Sequence, residues 1–423
     1  MIEVAIWKTL RYRWFVFWIL AIQYLLVYFH RVCPAVVASD LINNFRISGT
    51  SLGVLASTYF YSYGIMQIPV GILSDRWGAK NVIILFGIVA SLGSIVFGLS
   101  QSFGVAVVSR ILVGFGVSAI FIGTMKILTR WFRAIEYARI SGMLMSIGGA
   151  GWLVATTPLA LASQMFGWRV SFIAIGCITL IMAFITWRVV ADSPENRGLP
   201  EITEPFHKEQ KKGSGIKDIF ILFRERHFWA IAIWFLFRGG ALFGFYGLWA
   251  GPYLMDVYGL SKYTTGNILS MIAFAMIFIS PVLGHLSDKT FSSRKKILVG
   301  TSIINVVCWL ILAIRFDSLS IGELYVLFFF MGITISSVGT IAIISTKEFF
   351  PVEIAGTSMG TMNIFPFIGG LIFQPFLGYI LDMGGKTGDS YAPSGYKAVI
   401  WILLMGSVLA LLSVLFSKET MKR

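Results

Sequence analysis

The ten residues from Gly71 to Lys80 read GILSDRWGAK and connect two long apolar runs of the chain. Glycine lets two helices approach closely, so Gly71 predicts a tight helix contact beside this loop. Asp75 suits the positive N-terminal end of another helix, and Arg76 and Lys80 can pair with carboxylates. The stretch therefore predicts a polar loop that fastens the flanking helices to their neighbours.

The apolar runs on both sides of this loop belong to a pattern that extends along the whole chain. Of its 423 residues, 57% are hydrophobic and 13% are charged, and the mean hydropathy is +0.81. Soluble domains carry about 25% charged residues, whereas about 20 apolar residues in a helix cross a bilayer core. We therefore predict an all-α membrane protein. Its twelve predicted transmembrane helices cover residues 14–37, 51–73, 81–100, 103–127, 139–164, 168–190, 228–253, 264–286, 296–314, 321–345, 356–381 and 396–416.

The basic residues indicate how these helices are oriented. Most Lys and Arg lie in or beside the loops that share a side with both termini. The other side holds only Arg46, Arg169, Lys262, Arg315, Lys386 and Lys397. Loops rich in Lys and Arg stay in the cytoplasm, so we expect both termini there, in a multi-pass protein of the bacterial inner membrane. The net charge of +14 is then an insertion signal, and we expect the lipid bilayer, not nucleic acid, as its partner.

The polar stretch from Ala191 to Asp218 separates six predicted helices from six. We therefore predict an N-terminal bundle over residues 1–190, a cytoplasmic linker with an amphipathic helix over 191–226, and a C-terminal bundle over 227–423. A shift of 213 positions superposes Gly53, Gly71 and Asp75 on Gly266, Gly284 and Asp288. Two related halves imply a central site between them and alternating access by rocking.

At this point the sequence resembles a known family. GILSDRWGAK is similar to the G-x-L-x-D-R-x-G-x-K signature loop of the major facilitator superfamily, through Gly71, Asp75, Arg76, Gly78 and Lys80. GHLSDKTFSSRKK, with Gly284 and Asp288, resembles its second-half counterpart, and RILVGFG, from Arg110 to Gly116, resembles the R-x-x-x-G-x-G pattern of span four. The resemblance implies two pseudo-symmetric six-helix bundles, a secondary transporter, and a gating role for the loop residues. It also implies that Asp75 faces the start of span eleven near Gly356.

The basic residues Arg31, Arg110, Lys126 and Arg238 lie inside predicted spans, and no acidic residue lies in the middle of a span. Each such charge costs at least about 2.5–3.5 kcal/mol at the helix centre. An anionic substrate would supply the missing partner. Arg238 is about 15 Å along its helix from Phe228, which is near the midplane. We therefore predict Arg31 and Arg238 as charge anchors, with Lys126 as a further substrate contact.

The first span, YFHRVCPAVVA, resembles that of the organic-anion branches of the superfamily. These branches include organophosphate/phosphate antiporters and anion:cation symporters. The resemblance rests on Arg31, on Tyr24 two turns earlier, and on Arg238. His30 stands where the symporters have an acidic residue, and histidine titrates near neutral pH. We predict His30 and Arg110 as coupling residues, with H⁺ or Na⁺ as the coupling ion.

Neutral side chains complete the predicted cavity. Tyr59, Tyr63 and Gln67 recur every four residues and therefore share one helix face. Gln374 precedes Pro375, where a helix break would expose main-chain groups. Asn363 is a further polar candidate, and Trp152 is a candidate for stacking on a substrate.

These observations favour transport of a small organic anion, either a carboxylate or an organophosphate. Alternatives are a dipeptide transporter, an exporter of larger amphiphiles such as siderophores or drugs, and a receptor that binds without transport. The drug-antiporter pattern is missing from SIGGAGWLVATTPLA in span five, which disfavours drug export. No His, Cys or acidic cluster occurs at membrane depth, so an enzyme is least expected. We expect no cofactor, no metal, no ATP-binding loop, no disulfide, and a monomer.

Overall fold

The computed structural model describes residues 2–201, 216–350, 355–387 and 390–420, which are mostly helical. Contacts divide the chain into two compact units. Unit 1 comprises Met1–Arg31 and Thr58–Lys208, and unit 2 comprises Val32–Ser57 and Glu209–Arg423. The segment Val32–Ser57 precedes most of unit 1 in the sequence and nevertheless packs with unit 2. The linker residues 202–215 lie outside the described residues.

Seventeen α-helices occur in the described residues. They are α1 Ile2–Val32, α2 Pro34–Phe45, α3 Gly49–Trp77, α4 Ala79–Leu99, α5 Phe103–Trp131, α6 Ala134–Val154, α7 Thr157–Val189, α8 Ile216–Arg224, α9 Arg226–Gly239, α10 Ala250–Tyr258, α11 Lys262–His285, α12 Arg294–Ile314, α13 Ile321–Ser337, α14 Ile343–Phe349, α15 Ala355–Met362, α16 Ile364–Gly384 and α17 Pro393–Leu415. Wider π-helical segments occupy Gly240–Trp249, Leu286–Thr290 and Val338–Ala342, and a 3₁₀ turn occupies Glu195–Arg197.

Nine helical stretches of the described residues are long and apolar enough to cross a membrane. They are Ile6–Val32, Ala79–Leu99, Phe103–Trp131, Arg139–Val189, Arg226–Tyr258, Lys262–His285, Arg294–Ile314, Ser358–Gly384 and Pro393–Leu415. The stretch Arg139–Val189 has 51 residues, about twice what one crossing requires. Gly167 interrupts it with a φ of +81°, between the predicted spans 139–164 and 168–190. A second break, between α6 and α7, falls within a predicted span.

The helices of unit 1 pack closely through glycine and serine. A Cβ added to Gly116 of α5 would lie 2.3 Å from the main-chain nitrogen of Ala90 in α4. Ser91 of α4 donates a hydrogen bond to the carbonyl of Gly176 in α7, at 2.8 Å. Small residues permit such contacts between apolar helices. The R-x-x-x-G-x-G pattern of α5 is thus a packing pattern, at least at Gly116.

A two-pronged ion pair joins α1 to the start of α6 within unit 1. The guanidinium of Arg13 donates to both carboxylate oxygens of Glu136, at 2.8 and 3.0 Å, and lies 4.8 Å from the ring centroid of Phe132. Burial raises the pKa of Glu136, but the hydrogen bonds from Arg13 and from the main chain of Arg133 outweigh it, so the pKa is lowered.

This lowered pKa predicts an acid-sensitive contribution to stability. The pair should stabilise unit 1 fully above the ordinary carboxyl pKa of about 4.3, and the contribution should disappear as the pH falls through the lower folded-state value. We expect Glu136→Gln to lower the melting temperature of the detergent-solubilised protein at pH 7, and the difference from wild type to shrink towards pH 3.5. A difference that stayed constant over this range would contradict the assignment.

In unit 2 the carboxylate of Asp382 caps the start of α3. It accepts hydrogen bonds from the main-chain nitrogens of Gly49 and Thr50, at 2.7 and 2.8 Å. The hydroxyls of Thr50 and Tyr391 donate to it at 2.6 and 3.1 Å. A Cβ on Gly378 would lie 2.2 Å from the carbonyl oxygen of Gly49, so α16 and α3 meet without intervening side chains. These contacts explain why Val32–Ser57 belongs to unit 2.

The remainder of unit 2 contains two features that bear on the predicted fold. Lys386–Thr387 and Ser390–Tyr391 form a short antiparallel pair of strands, a small departure from an all-α structure. The helix α8 lies where the sequence predicts an amphipathic helix. Its Leu222 is fully buried, whereas Phe220, Ile221 and Phe223 are exposed.

Candidate functional site

Unit 1 places Arg31 among tyrosine rings, one residue before the end of α1. The guanidinium carbon lies 4.7 Å from the ring centroid of Tyr28 and 4.9 Å from that of Tyr63, and the residue is 6% exposed. A cation over an aromatic face gains up to about 2 kcal/mol when water is excluded. The arginine is therefore held in a defined position by rings from α1 and α3.

The predicted face of α3 is formed as expected. The rings of Tyr59 and Tyr63 are stacked, with centroids 6.0 Å apart. The Tyr59 hydroxyl donates to the carbonyl of Val27 in α1, at 3.3 Å, and the half-buried Gln67 donates to the carbonyl of Tyr63, at 3.2 Å. These contacts fix the tyrosine rings that surround Arg31.

Tyr24 and Trp152 lie at the contact between α1 and α6. The ring of Tyr24 meets that of Tyr28 edge to face at 5.3 Å, and its hydroxyl contacts the sulfur of Met145 at 3.5 Å. A Cβ at Gly151 would lie 2.2 Å from the carbonyl oxygen of Leu25, so the glycines beside Trp152 bring the helices together. The structure buries the Trp152 ring fully, and its stacking on a substrate stays a prediction.

Arg110 and His30 lie together next to this aromatic group. The guanidinium of Arg110 donates to the carbonyl oxygen of His30 at 3.0 Å and lies 5.3 Å from the Tyr59 ring centroid. The His30 ring is fully buried and packs edge to face on Phe29 at 5.5 Å. Arg110 thus packs against the main chain of α1 and against the Tyr59 ring. The predicted coupling role of both residues stays a prediction.

Unit 2 holds Arg238 near the end of α9, just before the π-helical segment Gly240–Trp249. Its guanidinium donates to the carbonyl of Thr334 and lies 5.6 Å from the ring centroid of Trp234. The residue is 4% exposed. Among the described residues no carboxylate forms an ion pair with it, and its Nε atom is buried without a hydrogen-bond partner. In the part of the chain that the structure describes, a carbonyl and an indole ring thus contact this charge, and no carboxylate pairs with it.

Three polar residues around Arg238 were not predicted from the sequence. Asn305 of α12 donates to the hydroxyl of Thr334 at 3.3 Å. The rings of Tyr246 and Trp309 are stacked with centroids 5.7 Å apart, the Tyr246 side chain is within polar contact of Asn305, and in the described structure Trp309 Nε1 is buried without a hydrogen-bond partner. Asn305 interrupts an apolar run in the sequence, and this interruption is the signal that could have identified it as a site residue. The other two are aromatic and resemble ordinary core residues.

Asn363 immediately precedes α16, and Gln374 lies near the middle of that helix. Gln374 is fully buried. Its side-chain amide donates to the main-chain carbonyl of Phe243 at 3.0 Å, and its main-chain carbonyl accepts a hydrogen bond from the Trp249 indole at 3.0 Å. Contrary to expectation, α16 is continuous through Pro375. The interruption falls instead at the half-buried Asn363, between α15 and α16.

The signature loop is organised differently from the sequence expectation. Lys126 donates to the carboxylate of Asp75 and to the carbonyl of Ser74, both at 2.6 Å, so it lies at this loop. Gly78 has a φ of +83°, which glycine adopts without strain, and the main-chain nitrogen of Lys80 donates to Asp192 at 2.8 Å. Asp192 therefore caps α4, a role that the sequence did not reveal.

Other predictions for the loop motifs are corrected or lie outside the described residues. A Cβ at Gly71 or Gly284 would touch no described atom, so the close approach predicted at Gly71 is not seen there. The exposed Arg76 projects from the last turn of α3. The side chain of Asp288 and the surroundings of Gly356 lie outside the described residues, and so does the predicted contact between Asp75 and Gly356.

Long apolar helices packed through glycines, with buried arginines on aromatic rings, define a polytopic membrane protein of the transporter type. The chain belongs to the Major Facilitator Superfamily, whose family model matches residues 20–373 and 250–422. This confirms the resemblance found in the sequence, and the prediction that the chain is not an enzyme is confirmed with it.

Comparison with individual proteins agrees with this membership. The chain is 24% identical to the "Hexuronate transporter" of Bacillus subtilis, covering 88% of this chain and 89% of that one. It is also 24% identical to the "Membrane sensor protein UhpC" of Escherichia coli, covering 93% and 90%. Among solved structures, a bacterial homolog of the human lysosomal transporter Spinster is 18% identical, with a TM-score of 0.76 over 96% of both chains. That likeness concerns the fold alone.

Proposed function

We propose that this protein is a secondary active transporter that moves a small organic anion, a carboxylate or an organophosphate, by alternating access. In this proposal twelve helices span the bacterial inner membrane, and both termini are cytoplasmic. Arg31 and Arg238 supply the positive charges that attract the substrate. A hexuronate is itself a sugar carboxylate, so the similarity to a hexuronate transporter supports this class of substrate.

The observation that carries the proposal is the environment of Arg238. It is a buried guanidinium that contacts the carbonyl of Thr334 and the indole ring of Trp234, and it forms no ion pair with a described carboxylate. A buried charge without a counter-charge is costly, and an anionic substrate would lower that cost each time it binds. The rings of Tyr28 and Tyr63 keep a second guanidinium, that of Arg31, in a fixed position.

Substrate counterflow in proteoliposomes tests the proposal. A thermal-shift screen of the purified protein against sugar acids, organic phosphates, dipeptides and siderophores first selects a ligand, because stabilisation grows with occupancy. We expect a carboxylate or phosphate to give the largest shift and to be exchanged across the vesicle membrane. A neutral or cationic amphiphile that stabilised and exchanged instead would refute the anion assignment.

A second candidate is a sensor that binds the same anion without carrying it, which the name of the second relative favours. Binding without exchange would support this alternative. Saturable counterflow of the stabilising ligand would exclude it.

A further inference from the structure

A polar pocket of about 470 Å³ lies in unit 1, where α7 ends and α4 begins. Three basic residues line it, Lys80, Arg188 and Arg197, together with Trp187 and one carboxylate, that of Asp192. The pocket therefore has an excess of positive charge. None of these residues belongs to the tyrosine and arginine groups described above.

The one carboxylate is already engaged by the helix start. One oxygen of Asp192 accepts the main-chain N–H of Lys80, and a Cβ at Gly78 would lie 2.4 Å from the other. Its charge thus faces the positive N-terminus of α4, a favourable arrangement. In the described part of the chain, neither Arg188 nor Arg197 forms an ion pair.

The walls of the pocket are fixed by contacts with α1 and α5. Tyr12 donates to the carbonyl of Val189 at 2.7 Å, and Trp131 to that of Ala191 at 2.8 Å. The guanidinium of Arg197 lies 5.9 Å from the Tyr12 ring centroid and donates to the main-chain carbonyl of Arg188. The basic groups are therefore presented by an ordered wall, and a ligand would not have to organise it.

The location of the pocket indicates the kind of ligand. It lies at the ends of two stretches long enough to cross a membrane, Ala79–Leu99 and Arg139–Val189. The half-exposed Trp187 beside it is a residue type enriched at membrane interfaces. Basic pockets at this depth suit the phosphate groups of lipids. We propose that this pocket binds a phosphate ester anion, presented by the headgroup of an anionic phospholipid, with Arg188 and Arg197 as its charged contacts.

Thermal-shift titrations of the detergent-purified full chain test the proposal with three probes. These are dioleoylphosphatidylglycerol, the zwitterionic dioleoylphosphatidylcholine, and soluble glycerol 1-phosphate. We expect phosphatidylglycerol to raise the melting temperature most. Arg188→Gln and Arg197→Gln should each weaken the apparent affinity for phosphatidylglycerol about fivefold. This is about the factor that one basic residue near an anionic membrane surface contributes to binding.

Two further variants distinguish loss of the site from loss of structure. Arg188 contributes only its main-chain carbonyl to the bond from Arg197, so Arg188→Gln leaves that bond possible, and Arg188→Lys should retain the binding. Lys397→Gln removes an exposed charge elsewhere and should not change the affinity. Equal affinity in wild type and both glutamine variants, or an equal response to phosphatidylcholine, would overturn the proposal. If glycerol 1-phosphate alone raised the melting temperature, the pocket would bind a soluble phosphate ester and the lipid assignment would be wrong.

Discussion

Replacing Arg31 or Arg238 by glutamine should raise the KM for the transported anion about 10- to 100-fold. The reason is that a hydrogen bond to a charged group contributes about 1.5–3 kcal/mol, and each 1.4 kcal/mol is a factor of ten. Both side chains are buried, so water compensates little for the lost charge. The measurement is the concentration dependence of uptake into proteoliposomes, with the melting temperature of each variant recorded in parallel.

Two variants serve as controls for this expectation. Arg224→Gln removes an exposed arginine from α8 and should leave KM unchanged. Arg31→Lys keeps the charge but loses the planar guanidinium that lies over the Tyr28 and Tyr63 rings, so we expect only partial recovery. Wild-type uptake by correctly inserted Arg31→Gln and Arg238→Gln proteins would show that neither residue anchors the substrate.

The family and the general position of the helices could be predicted because they depend on local composition. Apolar length predicts a crossing whatever the neighbours are, and the break at Gly167 coincides with a predicted loop. The signature loop identified the superfamily from a few residues. Even so, the break between α6 and α7 was missed, because the run around it is mostly apolar and its hydropathy does not fall at Pro158, the second residue of α7.

The candidate site was predictable at the level of residues but less so at the level of contacts. Tyr59 and Tyr63 share one face of α3, as the helical spacing predicts, whereas their packing around Arg31 was not predicted. Lys126 lies with Asp75, because position along a span does not specify the direction of a side chain around the helix axis. Tyr246 and Trp309 were missed for a related reason: in the sequence, an aromatic residue near a functional site looks like any aromatic residue of the core.

Gly114 of α5 should be a highly sensitive position in unit 1. A Cβ there would lie 2.2 Å from the Ser62 hydroxyl oxygen and 2.3 Å from the carbonyl oxygen of Tyr59, both on α3. Main-chain atoms cannot move aside as a flexible side chain can, so α3 would have to shift. That shift would displace the Tyr59 and Tyr63 rings from Arg31.

We therefore expect Gly114→Ala to destabilise the protein by about 1–3 kcal/mol, as overpacking does. The same variant should reduce uptake by about tenfold or more, because the rings around Arg31 are displaced. The larger side chain of Gly114→Leu should prevent folding. Gly104 provides a matched control on the same helix, because a Cβ there would meet open space. Gly104→Ala should be neutral or slightly stabilising, since alanine favours a helix over glycine by about 1 kcal/mol. Equal melting temperatures and uptake for the two alanine variants would show that α3 and α5 are not in close contact at Gly114.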